Sequence, residues 1–281
     1  MVYRDANARV KIFGKTDAKN AIYIGDTQGY YDGALVDYLI ESLRPKKVAE
    51  IGLSDSSLSN AAQTGIRTST IENGEYQMGF KRTIDVYYDE TNNIFMGKMN
   101  QLFNVNTEAE DSLANAIFSL SEEFGIAKYV DVSKSMDKTK KDGEVLFATN
   151  SEKEKSFFKS KGFRGATTSV IDISALAARK EASSYWDRDY STLMINVDPE
   201  TIPYGNAIAQ LPFGKSHTET YVSSGAKALE TAFGIPYKQD AVKEASENGE
   251  KRIDTIRQAT KKQIATMFPQ QKPEKKDENL G

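Results

Sequence analysis

Residues 68–88 constrain the fold most. Asn73-Gly74 supplies the two positive-φ positions of a type I′ turn, and it separates Thr68-Ser69-Thr70-Ile71-Glu72 from the long run that begins at Glu75 and ends at Tyr88. Within that run Ile84, Val86 and Tyr88 alternate with Asp85 and Tyr87, the period of a strand covered on one face. A chain carrying such a hairpin builds a sheet, and strong helix signals elsewhere make the fold mixed. Thr107 and Glu110 form a capping box, after which Leu113, Ile117, Leu120 and Phe124 share one stripe and Gly125 ends it.

The same reading gives a coarse order of elements. Val10-Lys11-Ile12-Phe13 and Ala21-Ile22-Tyr23-Ile24 flank the turn-rich Gly14-Lys15-Thr16-Asp17, so residues 1–34 are expected to be an extended arm carrying a hairpin. Residues 35–234 form a mixed α/β body, divided near 133–160 if it has two parts. Inside it, helices are expected over residues 34–43, 174–184 and 224–233, with strands over 47–51, 144–148, 166–173 and 192–197. The polar, lysine-rich stretch 133–143 reads as a solvated loop. Residues 235–268 form a helical region that ends or weakens at Asn248-Gly249. Beyond that point Ile253, Ile256, Thr260, Ile264 and Met267 lie on one stripe. The charged tail 269–281 can bury almost nothing and is expected to be disordered alone. The fold class is α+β: a mixed sheet with a long β-hairpin, an extended N-terminal arm and a C-terminal amphipathic helix.

Composition narrows the chemistry. The 281 residues contain no Cys and one His, which excludes disulfides, thiolate metal sites, thiol nucleophiles and His-rich metal sites. Lys plus Arg number 37 against 40 Asp plus Glu, a net charge of −3. A balance so even creates no global field for nucleic acid or an anionic membrane. No apolar run is long enough to span a bilayer, and the first twenty residues lack a signal-peptide core. The chain is therefore expected to be assembled inside a cell.

Gly14-Lys15-Thr16 matches the end of a phosphate-binding loop, but Arg9 stands where its first glycine belongs. His217 lies in a polar loop with no nucleophile placed beside it in sequence. Trp186-Asp187-Arg188-Asp189-Tyr190 and Tyr88-Asp89-Glu90 carry acids of the kind that usually cap elements, with Trp186 as a packing anchor. Lys134, Lys138, Lys140 and Lys141 could touch phosphates as a local patch, although no aromatic residues interleave them.

Arg44-Pro45-Lys46-Lys47-Val48-Ala49-Glu50-Ile51-Gly52, with Thr70-Ile71-Glu72 further on, resembles the first strand and second-strand acid of class I S-adenosylmethionine-dependent methyltransferases. The resemblance covers about thirty residues and implies a cofactor site at Glu50, Gly52, Asp55 and Glu72. It departs from the family where Leu53-Ser54-Asp55-Ser56-Ser57 replaces a glycine-rich loop.

No catalytic, cofactor-binding or metal-ligating residue is assigned. The arm, the hairpin, the terminal helix and the charged tail together fit a non-enzymatic structural subunit of a homo-oligomer, expected by analogy to be a virion component such as a bacteriophage capsid, neck or tail protein. Its partners would be other copies of itself and further subunits of the assembly, with no membrane, and its location the virion, assembled in the host cytoplasm, or otherwise the cytoplasm. Tyr30, Tyr31, Tyr87, Tyr88, Ile253, Ile256, Ile264 and Met267 are the expected interface residues. A methyltransferase-like enzyme and a nucleic-acid-associated accessory protein are the alternatives.

Overall fold

The runs Ala21-Ile22-Tyr23-Ile24, Tyr129-Val130-Asp131-Val132 and Leu193-Met194-Ile195 show little apolar alternation, the composition of strands buried on both faces. The computed structural model describes Tyr3, Asp5 and residues 7–26, 32–54, 70–72, 75–77, 80–100, 107–135, 140–167, 174–197 and 218–267. In it these runs form the parallel centre of a nine-stranded sheet. The strands are β1 (Ala8–Ile12), β2 (Ala21–Asp26), β3 (Lys46–Ser54), β4 (Thr70–Glu72), β5 (Glu75–Gln77), β6 (Phe80–Asp89), β7 (Ile94–Met99), β8 (Ile126–Ser135), β9 (Val145–Thr149), β10 (Arg164–Gly165) and β11 (Asp189–Asn196). Their order in the sheet is β1-β3-β6-β7-β2-β8-β11-β9-β10, and β4 pairs with β5 in a separate ribbon. Strands β7, β2, β8 and β11 are parallel. The flank β1-β3-β6-β7 is antiparallel, as is the β11-β9 pair.

Six described helices cover the sheet: α1 (Asp32–Leu43), α2 (Thr107–Phe124), α3 (Glu152–Ser160), α4 (Ser174–Tyr185), α5 (Thr218–Phe233) and α6 (Gln239–Met267). On one face α2 and α4 pack Leu113, Ile117, Phe118 and Ala182 against Tyr23, Phe95, Tyr129 and Tyr190. On the other, α1, α5 and α6 pack Leu35, Leu39, Tyr221, Leu229 and Val242 against Ile24, Val130, Val132, Leu193 and Ile195, and α3 adds Phe158. The result is a mixed α/β fold with helices on both faces of a large mixed sheet. The stripe Leu113, Ile117, Leu120 and Phe124 is buried, and Gly125 ends α2 at φ +59°.

Several expected elements are corrected. The two segments expected to form an N-terminal hairpin do not pair with each other: β1 is an edge strand on β3, while β2 lies between β7 and β8. β2 is apolar on both faces, which an exposed arm could not satisfy. The long run 75–88 is divided, since β5 pairs with β4 across residues 73–74 but β6 pairs with β3 and β7. Ser133, Lys134 and Ser135, expected in a solvated loop, close β8, and Ser133 is buried. Of the strand expected over 166–173, residues 166–167 have no regular structure and the rest lie outside the described residues.

α6 passes through Asn248-Gly249 without a break. Gly249 there faces the first turns of α1 and α5, where a Cβ would stand 3.0 Å from Ala34 Cβ and 2.9 Å from Thr218 Cγ2. One turn on, Arg252 reaches back to Asp37 of α1, which also binds Lys98 of β7 at 2.7 Å.

Candidate functional site

Adjacent strands β2 and β7 lead to helices on opposite faces, α1 on one side and α2 on the other. Such a divergence marks the end of the sheet at which α/β folds commonly bind ligands. Two glycines lie on these adjacent strands. At Gly97 a side chain would overlap the Tyr23 hydroxyl, and at Gly25 a Cβ would stand 2.8 Å from Asp131 Oδ1 and 2.8 Å from Tyr23 Cε1. The strand backbones leave just enough room for one tyrosine and one carboxylate.

Asp131, at the middle of β8, is flanked in register by Gly25 and Thr192. Its Oδ1 lies 2.5 Å from Arg179 Nη1 of α4, and its Oδ2 accepts the Tyr190 hydroxyl at 2.8 Å. Asp131 and Arg179 are both under 5% exposed. The Arg179 contact is ionic, and Nη1 itself makes no directed hydrogen bond. Burial opposes the Arg179 charge, but Asp131 outweighs burial and holds its pKa above the ordinary arginine value. Burial, reinforced by Asp131, pushes the Tyr190 hydroxyl well above the usual tyrosine range. Tyr129, next to Tyr23 in the same layer, is also pushed up by burial. Tyr129 and Tyr190 therefore stay neutral at physiological pH, and Asp131 is committed to fixing α4 on the sheet.

Three other buried acids are committed in the same way. Glu154 of α3 takes Lys128 of β8 on both oxygens, at 2.9 and 3.0 Å, and Asp85 of β6 pairs with Lys47 of β3 at 2.8 Å. Asp89, one of the acids expected to cap an element, accepts from Asn92 N and Nδ2 and closes the β6–β7 turn. At the opposite, amino edge of the parallel strands an open cleft of about 570 Å³ is lined by Asn150, Ser151, Ser183, Asp187 and Arg188. There the Asn150 side chain bonds Ser183 Oγ, the Arg188 carbonyl and the Tyr190 amide, which locks the turn from α4 into β11.

The residues singled out from sequence are scattered. Tyr88 is half-buried, stacks on Phe95 at 4.5 Å and donates to Asn93 Oδ1, and burial raises its pKa. Tyr87 is half-buried on the other face. Tyr30, Tyr31, Asp55, Lys138 and His217 lie outside the described residues. Ile253, Ile256, Ile264 and Met267 occupy register positions on the distal half of α6. Lys134 and Lys140 are half-buried and Lys141 is exposed. The carbonyls of Lys140 and Lys141 accept from Asn196 Nδ2. Trp186 is an anchor, its Nε1 bonded to Asn115 of α2 at 3.0 Å.

The cofactor site implied by the methyltransferase resemblance does not assemble. Gly52 sits inside the β3 ladder between Arg9 and Arg82, on a strand with antiparallel neighbours, and Glu72 belongs to the separate β4-β5 ribbon. The Asp131, Arg179 and Tyr190 cluster was not anticipated. Its signal was a lone Asp in the apolar run of β8 and a lone Arg among the alanines of α4, each a charge on a face that must be covered.

No protein-family model and no curated protein matches the chain. Solved structures do match it. PbaA of Pyrococcus furiosus, an archaeal homolog of proteasome-assembly chaperone, superposes with a TM-score of 0.61 at 15% identity, over 90% of this chain and 99% of that one. PbaB of the same organism, an archaeal proteasome activator, gives a TM-score of 0.59 at 15% identity, over 89% and 99%. A PAC2 family protein from Streptomyces avermitilis gives 0.55 at 11% identity, over 84% and 95%. The likeness is one of fold. It overturns the expectation of a bacteriophage virion subunit, and with it the virion location, because these structural neighbours are a homolog of proteasome-assembly chaperone, a proteasome activator and a PAC2 family protein rather than capsid, neck or tail proteins. It lends no support to the methyltransferase or nucleic-acid alternatives either.

Proposed function

We propose that this chain is a non-enzymatic factor that acts as a homo-oligomer and engages a proteasome or its unassembled subunits. The observation that carries the reading is the near end-to-end likeness to PbaA and PbaB, which span 90% and 89% of the chain and are themselves matched over 99%. The site chemistry agrees with it: the buried carboxylates Asp131, Glu154 and Asp85 are each spent on holding one element to another. Contacts between copies are assigned to Tyr30, Tyr31, Tyr87, Tyr88 and the distal stripe of α6. Among the described residues, no helix is long and apolar enough to cross a membrane.

The test is co-sedimentation of the purified chain with archaeal proteasome core particles and, separately, with their unassembled subunits, alongside the peptide-hydrolysis rate of the core. Co-migration with either, or a changed hydrolysis rate, is expected. Neither effect at about 10 μM protein, where a micromolar interaction would be mostly saturated, would sink the reading.

A further inference from the structure

β1 is an outer strand of the sheet. Phe13 N bonds the Val48 carbonyl of β3, and Ser54 N bonds the Asn7 carbonyl, so the odd-numbered residues of β1 carry the ladder to β3. The N–H and C=O groups of Ala8, Val10 and Ile12 therefore point outward, away from the sheet. Such groups are a template for another strand unless something covers them.

The chain covers part of this edge itself. The Tyr3 carbonyl accepts Val10 N at 3.0 Å, and Asp5 N donates to the Ala8 carbonyl at 3.0 Å. Asp5 Oδ1 accepts Ala8 N at 2.5 Å and Asn7 N at 2.7 Å, while Oδ2 takes the Tyr3 hydroxyl at 2.7 Å. One carboxylate thus ties both ends of the cover. The cover stops at Val10. Among the described residues nothing bonds the outward groups of Ile12, Phe13 beside it is 48% exposed, and a Cβ at Gly14 would have nothing within 4 Å.

An edge of this kind complements itself about a two-fold axis. With the axis at Ile12, Val10 pairs with Gly14 of the second copy and Lys11 lies across from its Phe13. Lys11 Nζ already sits 5.2 Å from the Phe13 ring centroid within one copy, and the cross-strand pair repeats that cation–ring contact. Lys47, 5.0 Å from the same ring, is held by Glu50 and Asp85. An axis at Val10 would instead set Arg9 across from Lys11, like charges that disfavour the register. Arg9 and Lys15 lie beyond the ends of the ribbon centred on Ile12.

The Val10 backbone cannot serve both partners. While Tyr3 holds it, only the Ile12 pair forms, about two hydrogen bonds between copies; once it is released, three pairs form, about six. We infer that Tyr3 and Asp5 are an autoinhibitory cover on β1, latched by the Asp5 carboxylate, and that its release lets β1 pair antiparallel with β1 of a second copy about Ile12. This contact joins the two sheets edge to edge and does not depend on the contacts between copies assigned above.

Sedimentation equilibrium of the full-length chain across a concentration series tests it, with hydrogen exchange of the Val10 amide in dilute protein reporting the cover. Asp5→Ala is expected to speed Val10 exchange and to tighten self-association about tenfold or more over wild type, from several added hydrogen bonds of modest net worth. Ile12→Pro removes the central outward donor and no bond to β3, and Gly14→Pro does the same at the end of the ribbon, away from the core. Either one, added to Asp5→Ala, should return association to the wild-type level while Val10 exchange stays fast. Unchanged Val10 exchange in Asp5→Ala overturns the latch. Faster exchange without tighter association, or a gain that survives both prolines, overturns the pairing. The wild-type mass decides the homo-oligomer proposed above separately, because only the change on substitution is read here.

Discussion

The Tyr23 hydroxyl occupies the space that a side chain at Gly97 would need, and Tyr23 Cζ would lie 2.6 Å from a Cβ there. Gly97 is in β7 and Tyr23 in the adjacent β2, whose ring tilts on Tyr129 at 5.3 Å. Overpacking a filled core costs about 1–3 kcal/mol and sometimes more. Gly97→Ala should lower stability at or above the top of that range in urea unfolding. Tyr23→Phe in the same chain removes the hydroxyl but keeps Cζ, so it should recover only part of the loss. A Gly97→Ala protein as stable as wild type would show that the two strands do not pack this closely.

Arg179 and Asp131 predict a different pattern. Removing one partner of a buried ion pair leaves an uncompensated charge and costs about 3–5 kcal/mol, whereas an apolar replacement of the whole group can be nearly neutral. Arg179→Met alone should destabilise by that amount. The triple variant Asp131→Leu, Arg179→Met, Tyr190→Phe, which removes every member of the network, should cost less than the single change. Chemical denaturation of the wild type, the single and the triple variant decides it, and a triple variant that loses as much as Arg179→Met or more would contradict the coupling.

What the sequence revealed and what it hid follow from the same residues. α2 was readable because its capping box and buried stripe agree, and β2 and β11 were readable as strands where they are apolar, although β2 was expected in an N-terminal hairpin and lies instead at the parallel centre. β8, the central strand on which the candidate site is built, was not readable, because Lys128, Asp131 and Ser133 interrupt its pattern and the charges of Lys128 and Asp131 are met by Glu154 and Arg179, distant in sequence. α3 was missed for a related reason: Glu152-Lys153-Glu154-Lys155 reads as solvated, yet Glu154 is 1% exposed and Phe158 is fully buried. Strand order was out of reach, since β1 and β2 are neighbours in sequence but separated in the sheet by β3, β6 and β7.

Asp5 predicts a pH response at the sheet edge. Burial raises its pKa, but hydrogen bonds from Ser112, the Ala8 amide, Tyr3 and the Asn7 amide outweigh burial and hold it below the usual aspartate value. Because the folded pKa is depressed, the stabilisation is complete above the unfolded value, about 3.9, and fades as pH falls through the lower folded value. The Asn7 and Ala8 amides, which donate to Asp5 at 2.7 and 2.5 Å, should lose hydrogen-exchange protection in that acidic window. In Asp5→Asn their protection should be lower at neutral pH and flat through the same window. Protection that is pH-independent in the wild type would show that Asp5 does not pin the start of β1.

Gly249 sets two physical effects against each other. Glycine inside a helix costs about 1 kcal/mol relative to alanine, so at an exposed position the exchange should stabilise. Asn248, exposed and adjacent, is such a position, and Asn248→Ala should stabilise by about 0.5 kcal/mol. At Gly249 the new methyl meets Ala34 Cβ, which is fixed to the backbone of α1, and Thr218 Cγ2 at the start of α5. Ala34 Cβ cannot move clear without moving a helix, and the Arg252–Asp37 pair one turn away resists that movement. Gly249→Ala should therefore lower the melting temperature despite its better helix propensity, with faster hydrogen exchange in α6 than in the sheet. If both substitutions stabilise alike, α6 does not approach α1 this closely.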